Sequence, residues 1–130
     1  MAIYKFSKKS RISSKNDFRA ILDYKLFNRN ELMTLYMAPK STEKPRFAVS
    51  ISAKTAPAAV RNRLKRLARE AFRLCQDEIA YGFDYFVIYS ARLSKKPSSD
   101  IKKITLSQVK QGFLELAEQG RRRFEKERNK

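Results

Sequence analysis

The side chains best equipped for chemistry lie in one run, Ala59-Val-Arg-Asn-Arg-Leu-Lys-Arg-Leu-Ala-Arg-Glu-Ala-Phe-Arg73. It supplies Arg61, Asn62, Arg63, Lys65, Arg66, Arg69 and Arg73. A guanidinium presents a planar fork of donors that grips phosphate oxygens in pairs or stacks on a base, whereas an ammonium is a point charge. Arginine outnumbers lysine in the run, so the chemistry it suits is structured phosphate recognition. Other chemistries drop out on composition. With no His there is no Ser-His-Asp triad, no Cys-His dyad and no His-ligated metal. With one Cys there is neither an intrachain disulfide framework nor a cysteine zinc site.

A helix must position that run. Pro57 is suited to a helix's first turn, where its missing N–H would have no partner, so a long helix is expected over about 58–79, with Gly82 able to close it. At about 100° per residue, with Arg61 at zero, Lys65, Arg69, Asn62, Arg73 and Arg66 fall within roughly 40–140°. Val60, Leu64, Leu67, Ala68, Ala71, Leu74 and Cys75 fall at roughly 220–340° and form a core stripe. Solvated helix faces usually mix signs in i,i+4 pairs, whereas Arg61, Lys65, Arg69 and Arg73 repel one another at that spacing. Only Glu70 offsets them. A row that costs helix stability implies a counter-anion, and a basic stripe of this kind is the footprint of nucleic-acid binding.

The remaining elements frame this helix. Ser14 is an N-cap candidate for a short amphipathic helix over about 15–25, with Asp17 in its first turn and Phe18, Ile21 and Leu22 on one face. Residues 32–38 read as a strand, Pro39 to Pro45 as a polar turn, and Arg46 to Lys54 as a returning strand paired in a hairpin. Along that second strand Phe47, Val49, Ile51 and Ala53 face a core, while Ser50, Ser52 and Lys54 lie on a small, polar face open to a partner. Phe83 to Ala91 is apolar on both faces and therefore central, with Tyr81, Phe83, Tyr85 and Phe86 in the core. Residues 92–104 read as a basic Ser/Pro loop. Thr105 and Gln108 form a capping-box pattern ahead of a last helix through Val109, Phe113, Leu116, Ala117 and Phe124. The basic tail, about 121–130, reads as frayed.

The totals agree with a single domain, 1–130, with an ordered core over about 5–120. The chain has 130 residues and 42% hydrophobic content, enough for a core. Thirty Lys+Arg against thirteen Asp+Glu give a net charge of +17. Self-repulsion of that size is relieved by a polyanion. No run reaches the roughly 18 apolar residues that span a bilayer, and Met1-Ala2-Ile3-Tyr4-Lys5 lacks the apolar segment of a secretory signal. A cytoplasmic protein with no membrane partner is the expectation.

Arg46-Phe-Ala-Val-Ser-Ile-Ser-Ala-Lys54, followed by the Arg61-Asn62-Arg63 block with Lys65, Arg66 and Arg69, closely resembles the bacterial ribonuclease P protein subunit. The resemblance covers roughly 5–120. It implies an α+β fold of the ribosomal protein S5 domain 2-like kind: a compact α/β sandwich with about a four-stranded sheet and three helices. It further implies a left-handed β-α-β crossover through the basic helix, opposite to the common hand. One departure is that Ala56-Pro57 stands where the family usually has Gly-Asn, so this turn is made differently.

The resemblance also implies a function. The protein would be the small subunit of a ribonucleoprotein that removes the 5′ leader from precursor tRNA. A catalytic RNA with Mg²⁺ would carry the chemistry, with no catalytic residue and no metal ligand in the protein and one protein per RNA. Arg61, Asn62, Arg63, Lys65, Arg66, Arg69 and Arg73 would contact the catalytic RNA. Phe18, Leu22, Tyr36, Ser50, Ser52 and Lys54 match positions of a cleft that takes the single-stranded leader. Leu22 stands where the family often has a second aromatic, so stacking is lost there. The acids are scattered, and Asp77-Glu78 reads as a solvated pair, which agrees with a protein lacking the oxygen-ligand cluster of metal-assisted hydrolysis. The alternative is a ribosomal or general structured-RNA-binding protein with no part in cleavage. A DNA-binding regulator is a weaker rival, because no helix-turn-helix pair is evident, and a stand-alone protein nuclease is weaker still.

Overall fold

The most apolar strand of the sequence is the axis of the sheet. In the computed structural model, which describes residues 11–40 and 44–128, β4 (Phe83–Tyr89) lies between β2 (Met33–Pro39) and β3 (Arg46–Ser50), and β1 (Leu26–Arg29) adds to the far side of β2. The order is β1-β2-β4-β3. β4 runs antiparallel to β2 and parallel to β3. The helices are α1 (Lys15–Tyr24), α2 (Ala58–Leu74), α3 (Ser98–Lys102) and α4 (Leu106–Arg128). Expectations placed on residues 1–10, 41–43 and 129–130 lie outside the described residues.

Alternation along the strands sorts side chains onto two faces. Leu26, Met37, Tyr85 and Phe47 are register partners across one face, which α2 and α4 cover. There Phe47 stacks on Phe72 of α2 at 4.7 Å between ring centroids, and Phe113 of α4 meets both edge-on at 6.0 and 6.3 Å. Close approach of α4 needs Gly120, where a Cβ would run into the Met37 thioether. On the other face Phe27, Tyr36, Phe86 and Ala48 are register partners. α1 packs on part of that face, with Ile12, Ile21, Ala38 and Phe86 forming a second small core.

Several elements differ from the reading of the sequence. The strands at 32–38 and 46–54 are not a hairpin: β4, apolar on both faces, inserts between them. Because β3 is parallel to β4, their connection must be a crossover, and α2 supplies it. β2 instead makes its hairpin with β1, a strand the sequence reading missed. The Asn30 side-chain oxygen closes that turn by accepting from the Leu32 and Met33 N–H groups at 2.8 and 2.9 Å. β3 ends at Ser50, and the Thr55 N–H donates to the Ser52 carbonyl at 3.0 Å in the turn that follows.

α2 stops at Leu74, not 79, where the Cys75 N–H reaches the Ala71 and Phe72 carbonyls. Gly82 does not cap it. This residue adopts φ 82° just before β4, and its carbonyl accepts from the Lys40 N–H at 2.8 Å. The stretch read as a basic loop holds a 3-10 turn (Ala91–Lys95) and α3, anchored by buried Leu93, Ile101 and Ile104 beneath a polar exterior. The tail continues α4 to Arg128, since Arg121 pairs with Glu118 and Glu125 and Phe124 meets Phe83 edge-on at 5.0 Å. Tyr81 and Leu74 are exposed, whereas Phe72, left out of the stripe, is fully buried. The expected caps form: the Ser14 hydroxyl accepts from Asn16 and Asp17, and the Thr105–Gln108 box closes in both directions.

Candidate nucleic-acid interface

α2 turns its apolar side, Val60, Leu64, Ala68, Ala71 and Phe72, to the core. The seven polar residues singled out on it have four different environments. Lys65, Arg66 and Arg69 make no ion pair with any acid among the described residues, and with Asn62 they line one shallow concavity. Arg61 turns back, its Nε donating to the Ala56 carbonyl at 3.1 Å. That bond tightens the Ala56-Pro57 turn, where Pro57 flanks the helix with no side-chain cap. Arg73 pairs with Glu70 one turn away. Arg63 borders the same hollow as Arg66 and Arg73, but its Nη2 donates to the Ile104 carbonyl at 2.8 Å, joining α2 to the start of α4. The basic face therefore has an uncompensated centre of three cations and an amide.

The second surface is the part of the sheet that α1 leaves open. Phe18 of α1 lies 5.0 Å from Phe86, and Tyr36 lies 6.5 Å from Phe86, ring centroid to centroid. Phe86 is 7% exposed and forms a floor beneath half-buried Phe18 and Tyr36. One register step on, Ser50, Ile88 and Thr34 are partners, and Ser52, Ile88 and Thr34 line a polar hollow that continues to Arg29 and Arg92. Lys54 is exposed in the turn after β3, its N–H donating to the Ser52 hydroxyl at 3.3 Å. Leu22 is exposed on α1, and its carbonyl accepts from the Lys25 N–H that ends the helix. Phe18, Tyr36, Ser50 and Ser52 thus share one side of the sheet.

The two surfaces meet. Arg69 of α2 lines the same hollow as Phe18, Ala48 and Arg11, so the cation row reaches the β3 end of the aromatic row. Ring faces beside spaced cations are what single-stranded nucleic acid uses: bases stack and phosphates follow the charges. Sequence reasoning missed Phe27, which is 40% exposed with its ring 5.2 Å from Tyr36, because β1 went unread. The core reading of Phe86 holds, and the same ring also floors the open surface beneath Phe18 and Tyr36.

An ionic clamp sets the height of α1 above the sheet. Arg46 grips Asp84 of β4 with two hydrogen bonds and reaches Asp17 of α1 at 3.3 Å, while Lys40 reaches Asp17 at 3.2 Å. The Lys40 hydrogen bond, then that of Arg46, holds the Asp17 carboxyl below the usual carboxylate range. Asp84 holds the Arg46 guanidinium protonated through any accessible pH.

Among the described residues no three His, Cys, Asp or Glu gather as a metal site, and no helix is long and apolar enough to cross a membrane. Compared with known proteins, the chain matches the family model for Ribonuclease P over residues 6–117. It is 33% identical over 111 residues to the ribonuclease P protein component of Bacillus cereus (strain B4264), covering 84% of this chain and 89% of that one. The corresponding component of Dictyoglomus turgidum is 31% identical over 119 residues, 91% of this chain and 94% of that one. In three dimensions it is similar to the RNase P protein from Thermotoga maritima, with TM-score 0.73 and 27% identity over 84% of this chain and 96% of that one. The four-stranded mixed sheet with its helices is the α+β architecture of that structure.

Proposed function

The chain belongs to the bacterial ribonuclease P protein family, a component of an endonuclease of tRNA processing, and from that premise we propose that it works by binding two RNAs at once. The α2 face, centred on Lys65, Arg66 and Arg69 with Asn62, binds the catalytic RNA. The cleft of Phe18, Tyr36, Ser50 and Ser52, with Lys54 at its mouth, takes the 5′ leader of precursor tRNA. The observation that carries this reading is the unpaired cation row running into an aromatic row on the sheet. A protein that only coated RNA would need the cations and not the rings.

In this reading the bond cleavage belongs to the catalytic RNA. In the same reading the Mg²⁺ on which that hydrolysis depends is held by the RNA. The protein's part is charge and position. Guanidinium groups packed against RNA phosphates lower the repulsion that opposes close approach of another polyanion. Leader contacts favour precursor over mature product, because the product lacks the segment that fills the cleft. One protein per RNA in the cytoplasm completes the proposal.

The test is cleavage of a leader-bearing precursor tRNA by a bacterial catalytic RNA at low Mg²⁺, with and without this protein. The proposal expects strong stimulation and no cleavage by protein alone. A folded protein that binds RNA without stimulating cleavage would overturn it in favour of a general RNA-binding role, and RNA-free cleavage would mark a protein nuclease.

A further inference from the structure

We propose that Phe27 is an additional stacking platform for the leader, at the end of the cleft farthest from α2. The proposal rests on the leader-cleft reading above and adds a residue to it. Three observations carry it. First, α1 ends at Lys25, whose φ of 62° turns the chain directly into β1 and brings Phe27 beside the open cleft. Second, Phe27 is the register partner of Tyr36, which is the partner of Phe86, so the three rings form a row from the sheet's edge to its centre. Their centroids are 5.2 Å apart for Phe27 and Tyr36, and 6.5 Å apart for Tyr36 and Phe86. The Phe27 ring packs against Tyr36 yet stays 40% exposed, so part of it remains open to a partner. Third, a cation is fixed at the same edge of the sheet, on the α4 side of β1. Arg123 of α4 wraps the sheet edge, and its Nη1 donates to the Phe27 carbonyl and, at 3.1 Å, to the Asn28 side chain.

Arg29, two residues on and exposed on the same face, adds a second cation. An exposed ring with a cation two residues along the same face matches an unpaired base and a neighbouring phosphate. The occupant is single-stranded RNA rather than an apolar protein segment, because net charge +17 and these arginines match a polyanion.

The order across the sheet gives the proposal a direction. Arg69 lines the hollow at Phe18 and Ala48, on the β3 side, whereas Phe27 lies at the opposite edge. Because the proposal puts α2 on the catalytic RNA that cuts the leader, Phe27, at the far edge, meets leader nucleotides farther from the cleavage site than Phe18 does.

The experiment is affinity of the reconstituted holoenzyme for precursor tRNAs with leaders shortened one nucleotide at a time. The variants are Phe27→Ala, Phe27→Leu, Phe27→Tyr and Phe18→Ala, each first checked by thermal melting. For the longest leader, Phe27→Ala and Phe27→Leu are expected to weaken binding by about fivefold or more, the scale of one lost base stack, and Phe27→Tyr to restore it. As leaders shorten, the Phe27→Ala penalty should disappear before the Phe18→Ala penalty. Loss with Phe18→Ala but none with Phe27→Ala overturns this inference and leaves the cleft reading standing. Full binding by Phe27→Leu, or an equal loss on mature tRNA, also overturns it. No loss with either alanine variant overturns the cleft reading itself.

Discussion

Arg46 holds Asp84 through paired hydrogen bonds, Nε to Oδ1 at 2.8 Å and Nη2 to Oδ2 at 2.6 Å, with the Asp84 side chain only 3% exposed. The same guanidinium reaches Asp17, so one arginine joins β3, β4 and α1. The proposed leader cleft is the part of the sheet beside α1, and this contact fixes where α1 sits on the sheet.

Removing Arg46 leaves a buried carboxylate without its partner. Arg46→Met should therefore destabilise the protein by about 3–5 kcal/mol in denaturant unfolding. Adding Asp84→Leu should recover part of that loss by removing the stranded charge. A loss below about 1 kcal/mol for the single variant would mean that water reaches Asp84.

Acid should loosen the clamp from the Asp17 side. Its folded pKa lies below the unfolded value of about 3.9, chiefly through the Lys40 hydrogen bond and then Arg46. A depressed carboxylate pKa gives stability that is fully present above the unfolded value and is lost as pH falls through the folded one. Unfolding free energies measured from pH 6 down to pH 2 should fall less steeply below about pH 4 in Asp17→Asn than in the parent. Identical slopes would contradict the assignment.

The arginines of the Arg61-Asn62-Arg63 run and its extension should separate into two groups. Arg63→Ala removes the bond to the buried residue Ile104 and should cost about 1–3 kcal/mol of stability. Arg66→Ala and Arg69→Ala remove solvated side chains and should change stability by no more than about 0.5 kcal/mol. Their effect should appear in affinity for the catalytic RNA, with the salt slope reduced by about one per cation. Equal melting temperatures for all three variants would remove the structural role given to Arg63.

Cys75 is buried, and burial pushes its thiol up to about 11, with Glu78 adding to the shift. Because the thiolate is the reactive form, a disulfide reagent at pH 8 should label the folded protein only as fast as it opens. Immediate stoichiometric labelling of native protein would place Cys75 at the surface.

Much of this was legible because the signals were periodic. The division of α2, the double-faced apolarity of Phe83–Tyr89 and the Thr105–Gln108 box each follow from spacing within one element. What was not legible depended on partners distant in sequence. The pairing of β3 with β4 rather than β2 is a tertiary choice, and no local pattern in residues 46–54 encodes it. The helical wheel placed Arg73 on the cation band, but the Glu70 carboxylate one turn away claims it. It could not show that Arg63 would find Ile104, 41 positions on. β1 escaped notice because four residues, Leu-Phe-Asn-Arg, carry too little alternation to read, and with it Phe27 was lost from the candidate cleft. The hand of the crossover and the leader cleft came from family resemblance, not from residue pattern.

The central claim is that the α2 cations assist an RNA catalyst by contacting its phosphates. The most direct measurement is a Mg²⁺ titration of precursor tRNA cleavage by a bacterial catalytic RNA, with the native protein and with a Lys65→Ala, Arg66→Ala, Arg69→Ala triple variant whose melting temperature is unchanged. The expected result is a clear shift of the triple variant's curve to higher Mg²⁺, with weaker assembly on the RNA. Superimposable curves at equal protein occupancy would contradict the account.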